Sequence, residues 1–333
     1  MTDTPTTPTP PVDPEVRPVK VEPPSPAAAS SSPVVLKRKT SAAKSRSLWG
    51  DAWEIMRRRP LFWIAAALIF VFLVMTVFPQ LFTSKDPGYC NLSLARVGPG
   101  DGAVFGYDAQ GCDVWARTVY GARASILVGL LTALVTAVVG GLLGMLAGYL
   151  GGWVDVVLSR LADIFFAIPL LLGAIVLMYS IPSSVDSPMM WFVLKVVLAM
   201  MIFGWPPIFR LMRSSVLQVK PNEYVLAARA LGAGPLHVVG SHILPNALTP
   251  VIVVSTIDLG GYIVTESTLS FLGIGLPDTV MSWGRAIARA SELGLIRQVP
   301  HMLLFPALFL CLTVLSFILM GEVVRDALDP KLR

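Results

Sequence analysis

Residues 223–245 read Glu223-Tyr-Val-Leu-Ala-Ala-Arg-Ala-Leu-Gly232-Ala-Gly-Pro235-Leu-His-Val-Val-Gly240-Ser-His-Ile-Leu-Pro245. The stretch lies between two long apolar segments and is itself too polar to enter a membrane. Glu223 to Leu231 consists of strong helix formers and predicts a short helix. Gly232 and Gly234 stop that helix, and Pro235 opens a second one in its first turn. Ala227, Ala228 and Gly232 leave part of the surface almost bare, so a partner can approach closely. In a membrane protein's loop, this elbow of small residues reads as a docking knob. The plainer alternative is an ordinary turn between two spans.

The flanks establish the membrane. Of 333 residues, 54% are hydrophobic and 14% charged, with a mean hydropathy of +0.69. Soluble domains carry about 25% charged residues. The formal charge is +5, but no run of Lys and Arg interleaved with aromatics occurs, so nucleic acid is not an expected partner. Three cysteines and three histidines lack metal-ligand spacing. No phosphate-binding Gly-x4-Gly-Lys-Ser/Thr loop is present, so the chain does not itself bind ATP that way. Neither metal nor cofactor is expected.

Six apolar segments are each long enough for a bilayer core of about 30 Å: Leu61–Leu81, Ala124–Tyr149, Ile164–Ile181, Met190–Phe209, Ala247–Leu272 and His301–Gly321. Lys195 is the sole charge in the fourth and can snorkel from its end. The fifth holds Asp258 and Glu266. Charges at that depth usually face a water-filled path or a partner; hydrogen bonding inside the bundle is the alternative, and both stay open. Gly140, Gly144 and Gly148 make a small-residue stripe for close helix packing.

Lys and Arg counts set the orientation. With the N-terminus inside, residues 1–60 hold ten, and the later inner segments hold Arg160, then Arg210, Arg213, Lys220 and Arg229, then Arg325, Lys331 and Arg333. The outer segments hold Lys85, Arg96, Arg117 and Arg123, none, then Arg285, Arg289 and Arg297. Both termini are therefore expected in the cytoplasm, together with the knob at 223–245. Residues 1–46, rich in Pro, Thr, Ser and Ala, read as a disordered cytoplasmic tail rather than a signal peptide. Residues 47–60 read as an amphipathic helix lying at the lipid interface, with Trp49, Trp53 and three consecutive arginines.

The stretch 223–245 resembles the coupling loop of ABC-importer permeases: Glu-Ala-Ala, three residues, Gly, nine residues, Ile, one residue, Leu-Pro. Ala227, Ala228, Gly232, Leu244 and Pro245 fall on that pattern. Leu226 stands in place of its Glu and His242 in place of its Ile, with Glu223 available as a substitute acid. The wider form, continuing into His-Ile-Leu-Pro-Asn-Ala, resembles the dipeptide, oligopeptide and nickel branch. The resemblance extends over residues 47–333. It takes in Phe105-Gly-Tyr-Asp-Ala-Gln-Gly-Cys-Asp113, where Tyr107 and Cys112 replace the family's Thr and Arg, then Tyr120-Gly-Ala-Arg123, the fifth span, Ser282-Trp283-Gly284 and the C-terminal tail.

That resemblance implies an all-α integral membrane protein of six transmembrane helices with the type I ABC-importer permease fold. An interfacial amphipathic helix precedes the spans. The parts would be a first span with a folded outer loop (61–123), a permease core (124–321) and a cytoplasmic tail (322–333). It implies half of a translocation pore in the inner (cytoplasmic) membrane, surrounded by membrane lipid. The partners would be a homologous second permease, cytoplasmic ATP-binding subunits and an extracytoplasmic substrate-binding protein. Di- or oligopeptides are the implied substrate, with nickel chelates or haem as alternatives. In this picture Glu223, Ala227, Ala228, Gly232, Leu244 and Pro245 couple to the ATPase, and Asp258 and Glu266 are pore candidates. An intramembrane enzyme and a stand-alone channel are the rival classes. The histidines, at 237, 242 and 301, do not meet a serine nucleophile in any recognisable motif, and no internal repeat marks a secondary transporter.

Cys90 and Cys112 fall in the same outer loop. If that loop faces an oxidising compartment, the two are expected to pair; two unpaired thiols are the alternative. Cys311, midway along the sixth span, is expected to remain a reduced, buried apolar residue.

Overall fold

The computed structural model describes residues 48–100, 102–182, 184 and 187–328. The expected tail 1–46 lies outside them, as do residues 329–333. Among the described residues there is no β-strand, only isolated bridges in one loop.

Helix α1 (Leu48–Arg57) precedes α2 (Pro60–Val77), which opens on a proline in its first turn. Ala52 of α1 is fully buried, while Trp53, Arg57 and the following Arg58 are exposed. After a long loop comes α3 (Val114–Leu150), an unbroken rod of 37 residues. It starts ten residues before the expected apolar segment because Asp113 caps it, accepting a hydrogen bond from Ala116 N at 2.9 Å.

The expected third span is not one rod. Helices α4 (Gly152–Ala167) and α5 (Leu170–Ser180) meet at an 86° bend. Pro169 forces this: the residue before a proline is pushed out of the helical region, and Ile168 is extended at φ −90°, ψ 120°. Helices α6 (Met189–Val219), α7 (Glu223–Ala230), α8 (Pro235–Val238), α9 (Leu244–Phe271), α10 (Trp283–Ala290), α11 (Leu293–Gln298) and α12 (His301–Leu328) complete the chain. Among the described residues, five helices are long and apolar enough to cross a membrane, and six if the bent pair counts as one span.

The bundle is built on α3 against α6. A Cβ on Gly140 would lie 2.7 Å from Trp205 O, one on Gly144 2.5 Å from Phe209 O, and one on Gly148 2.9 Å from Val216 Cβ. The stripe thus brings backbone against backbone, as small residues at membrane helix interfaces do. Helix α9 packs on the α3–α6 pair, and α12 and α2 close the next side. The broken span is held to α6 by ion pairs: Asp155 takes both Arg213 Nη2 (2.6 Å) and Nε, and Asp163 takes Arg210 Nη2 at 2.8 Å.

At one end of the bundle, the α2–α3 loop is a knotted structure. The sulfurs of Cys90 and Cys112 are 2.00 Å apart, a disulfide. Asp108 gathers three donors, Gln110 N and Cys112 N at 2.9 Å and Arg117 Nη1 at 2.8 Å. Gly111 adopts a positive φ of 75°, and a Cβ there would sit 1.9 Å from Asn91 O. Lys85 Nζ reaches Asp113 Oδ2 at 2.7 Å, and this hydrogen bond raises the ammonium's pKa above its ordinary value. The loop's Asp108 and Gly111 therefore build its turns. Cys311 departs from expectation: it is exposed on the surface of the chain rather than buried. Hydropathy marks how deep a residue sits along a span, not which way it faces.

Candidate functional site

At the opposite end from the disulfide, α7 and α8 form the predicted elbow. The chain turns between them at Gly232, φ 86°. An added Cβ would meet nothing within 4 Å, so glycine is needed here for its backbone conformation and not for space. Val225, Val238 and Ile243 are fully buried, packed with Met212, Val216 and Ala247. These three side chains pin the base of the elbow to α6 and α9. Its tip carries the reverse pattern. Leu231 and Leu236, flanking the Gly232–Pro235 turn, are each 89% exposed, and Tyr224 and Leu226 are exposed as well. Among the predicted coupling residues, Glu223, Ala227, Gly232 and Pro245 are exposed, and Ala228 and Leu244 are partly buried.

The two departures from the motif have physical readings. Leu226 faces out, so the position of the missing acid lies on the exposed side of α7. His242 lies 6.4 Å from the Tyr224 ring and 5.8 Å from His237. The buried place beneath it is taken by Ile243, one residue on. A short π-helical turn, Val239–Ile243, joins α8 to α9 and lets that neighbour turn inward.

The two carboxylates of α9 have opposite surroundings. Glu266 is fully buried. It accepts hydrogen bonds from Ser270 Oγ at 2.7 Å and Ser267 Oγ at 3.3 Å. Ser270 Oγ in turn accepts from Leu276 N at 3.0 Å, and Ser125 Oγ of α3 accepts from Trp283 N at 3.2 Å. These bonds tie the α9–α10 connection to the bundle. Asp258 is only partly buried, and no hydrogen bond or ion pair reaches its carboxylate among the described residues. Further along α9, Gly261 and Val264 are exposed and Thr265 and Thr268 partly so, on a face that this single chain leaves open. The structure therefore does not bring the two candidates together.

A family model described as "binding-protein-dependent transport system inner membrane component" matches residues 140–333. A second, described as "N-terminal TM domain of oligopeptide transport permease C", matches residues 47–97. The chain belongs to this family of ABC-importer permeases. The permease is 36% identical over 291 residues to the oligopeptide transport system permease protein OppC of Bacillus subtilis, covering 87% of this chain and 92% of the relative. It is 33% identical over 287 residues to the dipeptide transport system permease protein DppC of Alkalihalophilus pseudofirmus (86% and 91% covered). It is 35% identical over 289 residues to the glutathione transport system permease protein GsiD of Salmonella paratyphi A (86% and 92% covered). It is a multi-pass membrane transport subunit, not an enzyme.

Sequence reasoning missed two features of the permease's site. Leu231 and Leu236 were read as helix residues, although their place beside a glycine–proline turn is the signal that they cannot both turn inward. The residue types alone also did not distinguish Asp258 from Glu266, treating both as facing either a path or the bundle. Eight residues at about 100° each put them roughly 80° apart around the helix, enough to send one inward and leave the other at the edge of the open face.

Proposed function

We propose that this permease forms one half of the pore of an ATP-driven importer of short peptides. The second half would be a homologous permease, cytoplasmic ATP-binding subunits would dock on the elbow, and an extracytoplasmic binding protein would deliver the substrate. The observation that carries this reading is the elbow itself: a base pinned by Val225, Val238 and Ile243, and a tip that exposes Leu231 and Leu236. An apolar tip on a fixed base is suited to seating in a partner's groove. Peptide cargo is supported by the relatives, named for oligopeptide, dipeptide and glutathione transport. An inner-membrane location with both termini in the cytoplasm is supported by the Lys and Arg count. That orientation puts the elbow on the ATPase side and the disulfide on the oxidising side.

In this reading the open face of α9 lines the path, with Asp258 at its edge, and Glu266 holds the α9–α10 connection in place. The apolar groove of about 820 Å³ between α3, α9 and neighbouring helices, lined by Leu130, Leu134, Leu142, Leu248 and Ile252, is unsuited to a peptide backbone. Reconstitution with the partner permease, ATPase subunits and binding protein tests the whole. ATP-dependent uptake of labelled di- and tripeptides is expected, with competition by unlabelled peptides and not by nickel chelates or haem. Uptake of nickel or haem without peptide uptake would overturn the cargo assignment. Asp258→Asn is expected to change the peptide preference while leaving the amount of folded complex unchanged; unaltered uptake of every peptide would remove Asp258 from the path.

A further inference from the structure

Lys220 and Arg229 stand apart from the other basic groups around them. Arg213 pairs with Asp155, Arg210 with Asp163, Arg58 with Glu54 and Arg59 with Asp326. Neither Lys220 nor Arg229 has a carboxylate within ion-pair distance among the described residues, yet both converge on one ring. Lys220 Nζ lies 5.7 Å and Arg229 Cζ 5.5 Å from the centre of Tyr149. Lys220 donates one hydrogen bond, to Tyr149 O at 2.7 Å, which leaves two of its N–H donors free. No hydrogen bond uses the Arg229 guanidinium among the described residues.

Beside these groups lies a wide-open cavity of about 350 Å³, lined also by Tyr149, Leu150, Ala233, Pro235 and Val238. Its position is the informative part. Tyr149 and Leu150 end the apolar rod α3, so the cavity sits where a membrane-spanning helix leaves the apolar layer. Leu150, at 57% exposure, extends the apolar surface up to it. Two unneutralised cations with free donors, beside an apolar wall at the end of a span, match a phosphate carried on an acyl-chain anchor. Basic pockets at the ends of membrane helices take such headgroups.

We infer that Lys220, Arg229 and Tyr149 form a site for the phosphate of an anionic phospholipid, wedged between α3 and the elbow. The occupied site would join the lipid to both helices whose relative position sets the elbow's attitude: Lys220 ends α6, and Arg229 lies on α7. This rests on the elbow being the cytoplasmic docking element, and the test separates the two ideas.

The complete transporter, wild type and Arg229→Gln, is equilibrated with equal amounts of phosphatidylglycerol and phosphatidylcholine. Retained lipids are then read by native mass spectrometry. Wild type is expected to retain phosphatidylglycerol preferentially, and Arg229→Gln to lower that preference about five-fold, the effect of one basic residue near a membrane surface. Lys220→Arg, which keeps the charge, is expected to preserve it. Loss of elbow docking would appear separately, as ATPase subunits failing to co-purify. An undiminished preference in Arg229→Gln overturns the site. An adduct formed with inorganic phosphate in phosphatidylcholine alone, with no preference for phosphatidylglycerol, assigns the cavity to a soluble anion and also overturns it.

Discussion

At one end of this permease, residues 78–113 close on themselves. A disulfide joins Cys90 to Cys112, Asp108 collects three donors, and Gly111 leaves no room for a side chain beside Asn91. At the other end, residues 220–243 do the reverse. Three buried aliphatic side chains hold the base, and the tip holds Leu231 and Leu236 in the open, each 89% exposed. The first segment is held by covalent and polar links, although Leu81, Tyr89, Leu92 and Val104 within it are also well exposed. The second exposes apolar surface at its tip, which in the proposed function the ATPase subunits would cover. The division is between an end cross-linked through a disulfide and a shared carboxylate and an end held by aliphatic packing at its base.

That division predicts a ranking of effects on thermal stability. The largest is expected for Asp108→Ala. It strips a buried carboxylate from Arg117, whose side chain is 18% exposed, and orphans two backbone N–H groups. Breaking a buried pair from one side costs about 3–5 kcal/mol, read as a lowered melting temperature of the purified complex. A melt within a degree of wild type would show that the knot does not depend on this carboxylate.

The middle rank belongs to Cys90→Ser with Cys112→Ser. The bridge spans a sequence separation of 22, for which chain entropy gives roughly 3 kcal/mol. The Asp108 bonds survive, so the loop should remain folded and melt earlier. The same lowering is expected when wild type is reduced before heating. If reduction lowered the wild-type melt while the double variant melted normally, the stabilisation would belong to something other than this bridge.

The smallest effect on melting is expected at the elbow, and it sharpens the contrast most. Leu231→Ser with Leu236→Ser changes side chains that are almost wholly in solvent, so stability should move by under about 0.5 kcal/mol. ATPase activity stimulated by the loaded binding protein should nevertheless fall at least about ten-fold, since two apolar anchors of about 1–2 kcal/mol each are lost from the docking contact. Normal stimulation would mean the tip is not the contact. Gly232→Arg is a poorer probe, because its φ of 86° strains any side chain before a partner is involved.

Much of this was legible from residue types. The stripe Gly140, Gly144, Gly148 announced a close helix contact because only glycine lets two backbones approach to that distance, and its partner proved to be α6. The elbow was legible because Gly232 can take the positive φ that other residues avoid, whereas Pro235 fixes φ and suits a helix's first turn. The 86° break in the third span was not read, since hydropathy averages over a window and Ile168-Pro169 is apolar throughout; the proline was the overlooked signal. The outward facing of Cys311 was beyond reach for a related reason. A span that is apolar on all sides carries no periodicity to say which side meets lipid. The first ten residues of α3 were assigned to the loop because they are more polar than a span, although Asp113 just before them is a typical cap.

Helix α3 runs without interruption from the disulfide loop, which its capping residue Asp113 ends, to Tyr149 beside the elbow. Its 37 residues at about 1.5 Å each make a shaft of roughly 55 Å. The glycine stripe clamps that shaft to α6 backbone to backbone, so the two cannot slide without collision and must tilt together. Such a shaft is a lever: pivoted near one end, a rotation of about 5° carries the other end about 5 Å. If the elbow is pushed by a docked partner, as the proposed function requires, such a shaft would tilt as one piece and carry the movement toward the disulfide loop.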